Sequence, residues 1–166
     1  MITFLRCLGI LNAAAWFGSA IFLTFGVAPA VFSEDMKQLL EVNFYPYYSG
    51  AIAQIVFDHY FLLQLIFCVL ALFHVLGERL YFSRPPEAWR SVLLAFLILL
   101  TLLGGFIVRP RLERLHRIRY SPKATPEMRE TARQSFGTWH GVSQIANVFM
   151  LLGLGIYVCR VGQRAD

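Results

Sequence analysis

The stretch SVLLAFLILLTLLGGFIV, residues 91–108, contains no charged residue and is closed by Arg109-Pro110-Arg111. As a helix at ~1.5 Å per residue it measures roughly 27 Å, close to the ~30 Å hydrocarbon thickness of a bilayer. A water-soluble fold has little use for an apolar run of this length. Three more segments read the same way, at about residues 5–32, 51–77 and 136–159. The expected fold is therefore all-α. It is an integral membrane four-helix bundle with up-and-down topology, forming a single domain over residues 1–166.

Composition agrees. The chain is 57% hydrophobic and 15% charged, against about 25% charged in an ordinary soluble domain. The net charge of +5 does not point to nucleic acid, because only Tyr120 interleaves with the arginines. The basic residues flank the apolar segments, where anionic lipid head groups are the simplest partner. Cys7, Cys68 and Cys159 lie in or beside apolar segments without CxxC spacing and read as small buried hydrophobes. The N-terminus has Arg6, an apolar run and Asn12-Ala13-Ala14-Ala15, like a signal peptide. The run continues to Phe32, however, past the length of a secretory apolar core, so a retained first helix is expected.

In the first segment, Ala14-xxx-Gly18 and Ala15-xxx-Ser19 are spacings that let helices approach closely in lipid, and Pro29 should kink or end the helix. Ser33 with Glu34 and Asp35 predicts an N-cap with an acidic first turn, starting a short interfacial helix. Phe44-Tyr45-Pro46-Tyr47-Tyr48 forms an aromatic belt. Ser83-Arg84-Pro85-Pro86 turns the chain into the third segment, which is aliphatic and expected to face lipid. Residues 109–135 then form a charged connection, in which Thr125-Pro126-Glu127 predicts a helix start. The third and fourth helices should thus extend beyond the bilayer as a basic hairpin that breaks near Ser121-Pro122. Arg111, Arg114, Arg117, Arg119 and Lys123 would offer a surface to lipid head groups or a soluble partner. His116 in this hairpin should be solvated.

With Lys37, the hairpin face carries nine Lys or Arg and the opposite face six. This count places the hairpin in the cytoplasm of a bacterial cytoplasmic membrane, although Arg6 and the acidic residues after the first helix favour the reverse.

Polar residues inside the apolar segments are the clue to function. His140, Ser143, Gln144 and Asn147 follow i, i+3, i+4, i+7 and share one helical face. Asn12, Ala15, Trp16 and Ser19 follow the same pattern on the first helix, so the two stripes should face each other or a common cavity. An unpartnered amide in lipid costs several kcal/mol. Asp58 and His140 both fall ~9–10 Å from their helix midpoints towards the hairpin, and Arg109 ~13 Å. An intramembrane acid usually pairs, which makes Arg109 or His140 the partner of Asp58. Together with His59 these residues could line a site for an ion, a haem or a small polar ligand, His59 and His140 being the candidate metal ligands. The same residues could equally be interhelical glue. No zinc spacing, phosphate loop or nucleophile–base pair is present, which argues against an enzyme.

Ala15-Trp16-Phe17-Gly18, Thr24-Phe25, the aromatic belt, Arg109-Pro110-Arg111 and His140-Gly141-Val142-Ser143 with Asn147 occur in this order. The order resembles the transmembrane protein 205-like family, also catalogued as a domain of unknown function. The resemblance implies a four-helix membrane protein, and an animal member's association with platinum-drug resistance suggests transport or trafficking. The architecture is also distantly similar to copper-resistance D-type domains and a haem-containing protoporphyrinogen oxidase group. Those would place a histidine on the first helix, where this chain has Asn12 and Trp16. Three functions are expected from these readings: binding or passage of a small ligand or ion, with a homo-oligomer as one form of it; an accessory subunit of a larger membrane complex; or a haem-dependent oxidoreductase.

Overall fold

The computed structural model describes residues 2–81 and 88–163. The connector Ser83-Arg84-Pro85-Pro86 and Arg164 lie outside the described residues. The first rod is α1 (Ile2–Ile21), a π-helical turn (Phe22–Val27) and α2 (Ala28–Val31). A short α3 (Glu34–Leu39) leads to α4 (Tyr45–Tyr81). The third rod joins α5 (Ala88–Leu103), a second π-helical turn (Gly104–Val108) and α6 (Arg109–Tyr120). The last, α7, is Pro126–Gly162. Four of these rods are long and apolar enough to cross a membrane, and α4 and α7 each pack against both α1 and α5. This is an all-helical four-helix bundle.

Local signals act as the residues dictate. Ser33 Oγ accepts from the Met36 amide at 3.1 Å and caps α3. Thr125 Oγ1 accepts from the Met128 amide at 3.3 Å, with Pro126 in the first turn of α7. α6 stops at Tyr120 where Ser121 turns to an extended backbone, the break expected before Pro122. The α6 and α7 extensions pack on each other as the hairpin.

Some elements differ from expectation. α4 begins at Tyr45 rather than near 51, so the aromatic belt forms its first turns. Pro46 in that first turn needs no amide partner, and Glu41 turns the chain before it with a φ of 59°. Pro29 does not end the first rod. A proline ring collides with the carbonyl four residues back. Here the preceding turn widens, and the Ala28 amide donates to Leu23 instead of to the carbonyl four back. Pro110 is accommodated identically, with the Arg109 amide donating to Gly104. The wide turn lets the helix pass through each proline.

The core joins Ala13, Trp16 and Ala20 of α1, Cys68 and Ala71 of α4, Leu94 and Leu97 of α5, and Met150, Leu154 and Tyr157 of α7. The expected small-residue stripe is rotated outward: Ala14, Ala15 and Gly18 are exposed, and the contact is made by Gly9, Ala13 and Ala20. Burial of the Trp16 indole sets that rotation. α5 is not simply lipid-facing, because Arg90, Leu94, Leu97 and Thr101 are buried. Of the cysteines, Cys68 is buried while Cys7 and Cys159 are exposed.

Candidate functional site

The two expected polar stripes do not face each other; the α7 stripe reaches the first rod only at Thr24, outside the stripe of Asn12, Trp16 and Ser19. Asn147 Nδ2 donates to Thr24 Oγ1 at 2.9 Å, joining α7 to the first rod. The α1 stripe faces α4. Asn12 Nδ2 donates to the Phe67 carbonyl at 3.1 Å, and the Trp16 indole N–H donates to Gln64 Oε1. Ser19 Oγ bonds back to the Trp16 carbonyl at 2.8 Å. On α7, His140 and Gln144 are exposed; they contact each other at 3.2 Å, while Ser143 Oγ donates to the His140 carbonyl at 2.7 Å.

Asp58 does find Arg109: its Oδ1 pairs with the Arg109 Nε. Arg109 in turn approaches Glu113 at 3.9 Å, and Glu113 pairs with Arg117. A ladder of alternating charge therefore runs from α4 into the hairpin. The wide turn at Gly104–Val108 aims Arg109, because one extra residue in a turn swings the next side chain by about 100°. Gly104 allows the approach of the rods, since a Cβ there would come within 2.7 Å of the Phe61 ring.

His140 is not part of this pair; its ring stacks on Phe136 with centroids 6.0 Å apart. His59 Nδ1 donates to the Ile55 carbonyl of its own helix at 2.9 Å. Among the described residues no three His, Cys, Asp or Glu side chains are grouped to hold a metal ion. His116 is buried rather than solvated: its ring stacks on Tyr47 at 5.5 Å and tilts against Tyr120 at 4.9 Å. A Cβ on Gly50 would overlap that ring, so a bare backbone on α4 admits it. In the basic surface, Arg111 sits over Trp139 and Arg119 over Tyr120. Arg114, Arg117 and Lys123 are exposed.

The group at the other end is one that the sequence places near the far surface, His74 beside Glu78, but outside the expected site. Arg90 is 1% exposed, His74 6% and Glu78 7%. Arg90 Nη2 pairs with Glu78 Oε2 at 2.8 Å and donates to His74 Nδ1 at 3.5 Å. His74 Nε2 lies 3.8 Å from Glu78 Oε1, and the buried Tyr157 stands beside Arg90. A signal existed. Gln64, Cys68, Ala71, His74 and Glu78 are spaced 4, 3, 3 and 4 residues apart, one continuous inner face of α4. All five are buried.

A family profile described as a domain of unknown function (DUF4149) matches residues 11–121, more than half of the sequence. The chain belongs to the DUF4149 family. The match runs from α1 through α6 and so takes in Asp58, Arg109, His74, Glu78 and Arg90; α7 lies beyond it. No curated protein and no solved structure matches this DUF4149 chain.

Proposed function

We propose that this DUF4149 protein binds or passes a small ion or polar ligand through its helix bundle, without catalysing a reaction. One observation supports the reading: Asp58, Gln64, His74 and Glu78 place polar or ionisable side chains at both ends and in the middle of α4, over ~30 Å at 1.5 Å per residue, the thickness of the hydrocarbon core. Asp58 and Arg109 stand at the hairpin end, half-exposed. Gln64 is buried in the middle, Cys68 lies beside Thr101, and His74, Glu78 and Arg90 close the far end. Ionisable groups are costly at membrane depth and commonly mark ion or substrate pathways. The resemblance to the transmembrane protein 205-like family points the same way.

A second reading, an assembly subunit of a larger membrane complex, is favoured by the bonds at mid-membrane. Trp16–Gln64, Asn12–Phe67 and Asn147–Thr24 hold helices together, as interhelical glue does. Asp58→Asn separates the two. In proteoliposomes, flux of the ions tested should fall at least tenfold while the thermal midpoint of the purified protein stays within a few degrees. Unchanged flux with a large loss of stability or of co-purifying subunits would favour the assembly role.

A further inference from the structure

The far-end cluster draws on all four long rods. α4 supplies His74 and Glu78, α5 supplies Arg90, and α7 supplies Tyr157, which also faces Cys68. From α1 come the Leu5 carbonyl and Gly9, where a Cβ would overlap the imidazole. The tight packing suits a ligand no larger than a proton. Arginine can only donate, so the Nδ1 that receives the Arg90 bond carries no hydrogen. Read so, His74 is neutral with its hydrogen on Nε2, which stands 3.8 Å from Glu78 Oε1. Taken by themselves, the Arg90 guanidinium, the Glu78 carboxylate and a neutral His74 imidazole carry no net charge.

We propose that His74, held between Glu78 and Arg90, is a membrane-embedded proton-binding site. The arriving proton occupies Nδ1, displacing the donated Arg90 hydrogen bond. The resulting imidazolium is held by the Glu78 carboxylate, and Arg90 remains paired to Glu78 Oε2. Since Arg90 ties α5 to α4, loading the proton also weakens one link between those rods. This assignment rests on the small-ion reading for the passage of the proton and names the ion; the site itself stands on the geometry of the cluster.

The test is nitrogen-15 NMR of the histidine rings in the full chain, reconstituted in lipid nanodiscs and titrated from pH 4 to pH 9. The four histidines are assigned by single His→Gln variants. At the alkaline end His74 is expected as the Nε2–H tautomer, taking up one proton on acidification. Glu78→Gln should lower its proton affinity about tenfold, one pH unit, and Arg90→Gln should raise it by a similar factor. The wild-type titration decides the matter even where a variant fails to fold. A His74 that holds one protonation state throughout, or that carries its hydrogen on Nδ1 when neutral, overturns the proposal. Proton and alkali-cation fluxes of wild type and His74→Gln in dye-loaded proteoliposomes judge the passage reading separately. A titrating His74 with no flux of any ion upholds the site and sinks passage. A cation flux with a non-titrating His74 does the reverse.

Discussion

Gln64 is the residue on which the middle of the bundle turns. It is 1% exposed, and its Oε1 takes the hydrogen of the Trp16 indole, itself fully buried. Trp16 also stacks on Phe67 and meets Tyr157 edge-on, so one ring links α1, α4 and α7. Replacing Gln64 by Leu keeps the volume but strands the indole N–H. The expected cost is ~1–3 kcal/mol, read as a lowered midpoint in detergent unfolding. Trp16→Phe in the same background should recover part of it, because no donor is then left unmatched. At this scale much was legible. Asp58 called for a partner, and Arg109 at matching depth is that partner. His116 was misread because its charged neighbours suggested water. The Tyr47 ring and the bare Gly50 that bury it come from a helix some 70 residues earlier in the chain.

Among the elements, the two wide turns matter most. Each ends two residues before a proline, at Val27 before Pro29 and at Val108 before Pro110. Sequence patterning alone reads proline as a kink or stop, since the ordinary helical bond and the ring cannot coexist. The widened turn is a third solution, and it also rotates the helix beyond it. Pro110→Ala removes the reason for the turn at Gly104–Val108. The turn should relax to regular helix and swing Arg109 by about 100° away from Asp58. A double-mutant cycle of Asp58→Asn and Arg109→Gln should show a coupling of ~0.5–3 kcal/mol in the wild-type background and little in Pro110→Ala. In the extension of α7, Glu130 receives Arg133 Nε and Nη2, both at 2.8 Å, and Gln134 at 3.0 Å. α7 is ~55 Å long, so its charged end projects beyond a bilayer. The Arg133 bonds hold the Glu130 carboxyl down at about 2, against an ordinary 4.5. The folded-state pKa is depressed, so this contribution is complete above the ordinary value and disappears as pH falls from about 4.5 towards 2. Helicity of the hairpin measured by circular dichroism should decline over that window, and Glu130→Gln should flatten the decline.

For the molecule as a whole, the charge of the basic hairpin predicts a sidedness. Lys or Arg stands at nine positions on its face against six opposite, and such a bias orients membrane proteins with the richer side in the cytoplasm. Lys123→Cys is therefore expected to resist membrane-impermeant thiol reagents in intact cells and to react once the membrane is opened. Cys7 and Cys159 are exposed and should first be changed to Ser. Rapid labelling in intact cells would reverse the orientation, placing the Asp58–Arg109 end of the bundle outside.

The sequence by itself determined the class of protein and the course of the chain. Four apolar runs of bilayer length leave few alternatives in lipid, where every backbone group must be bonded internally. Capping residues at Ser33 and Thr125 act over three residues and need no tertiary partner. Only the tertiary structure decided which faces turn inward. In lipid, apolar residues give weak information about rotation, since a helix face can be apolar towards protein or towards lipid alike. So Asn12 and Trp16 turned to Gln64 and Phe67 on α4 rather than to the stripe of α7. The buried triad was hidden for the same reason: Glu78 and Arg90 sit near helix ends, where a charge ordinarily reaches water, and their approach to His74 depends on how the rods cross.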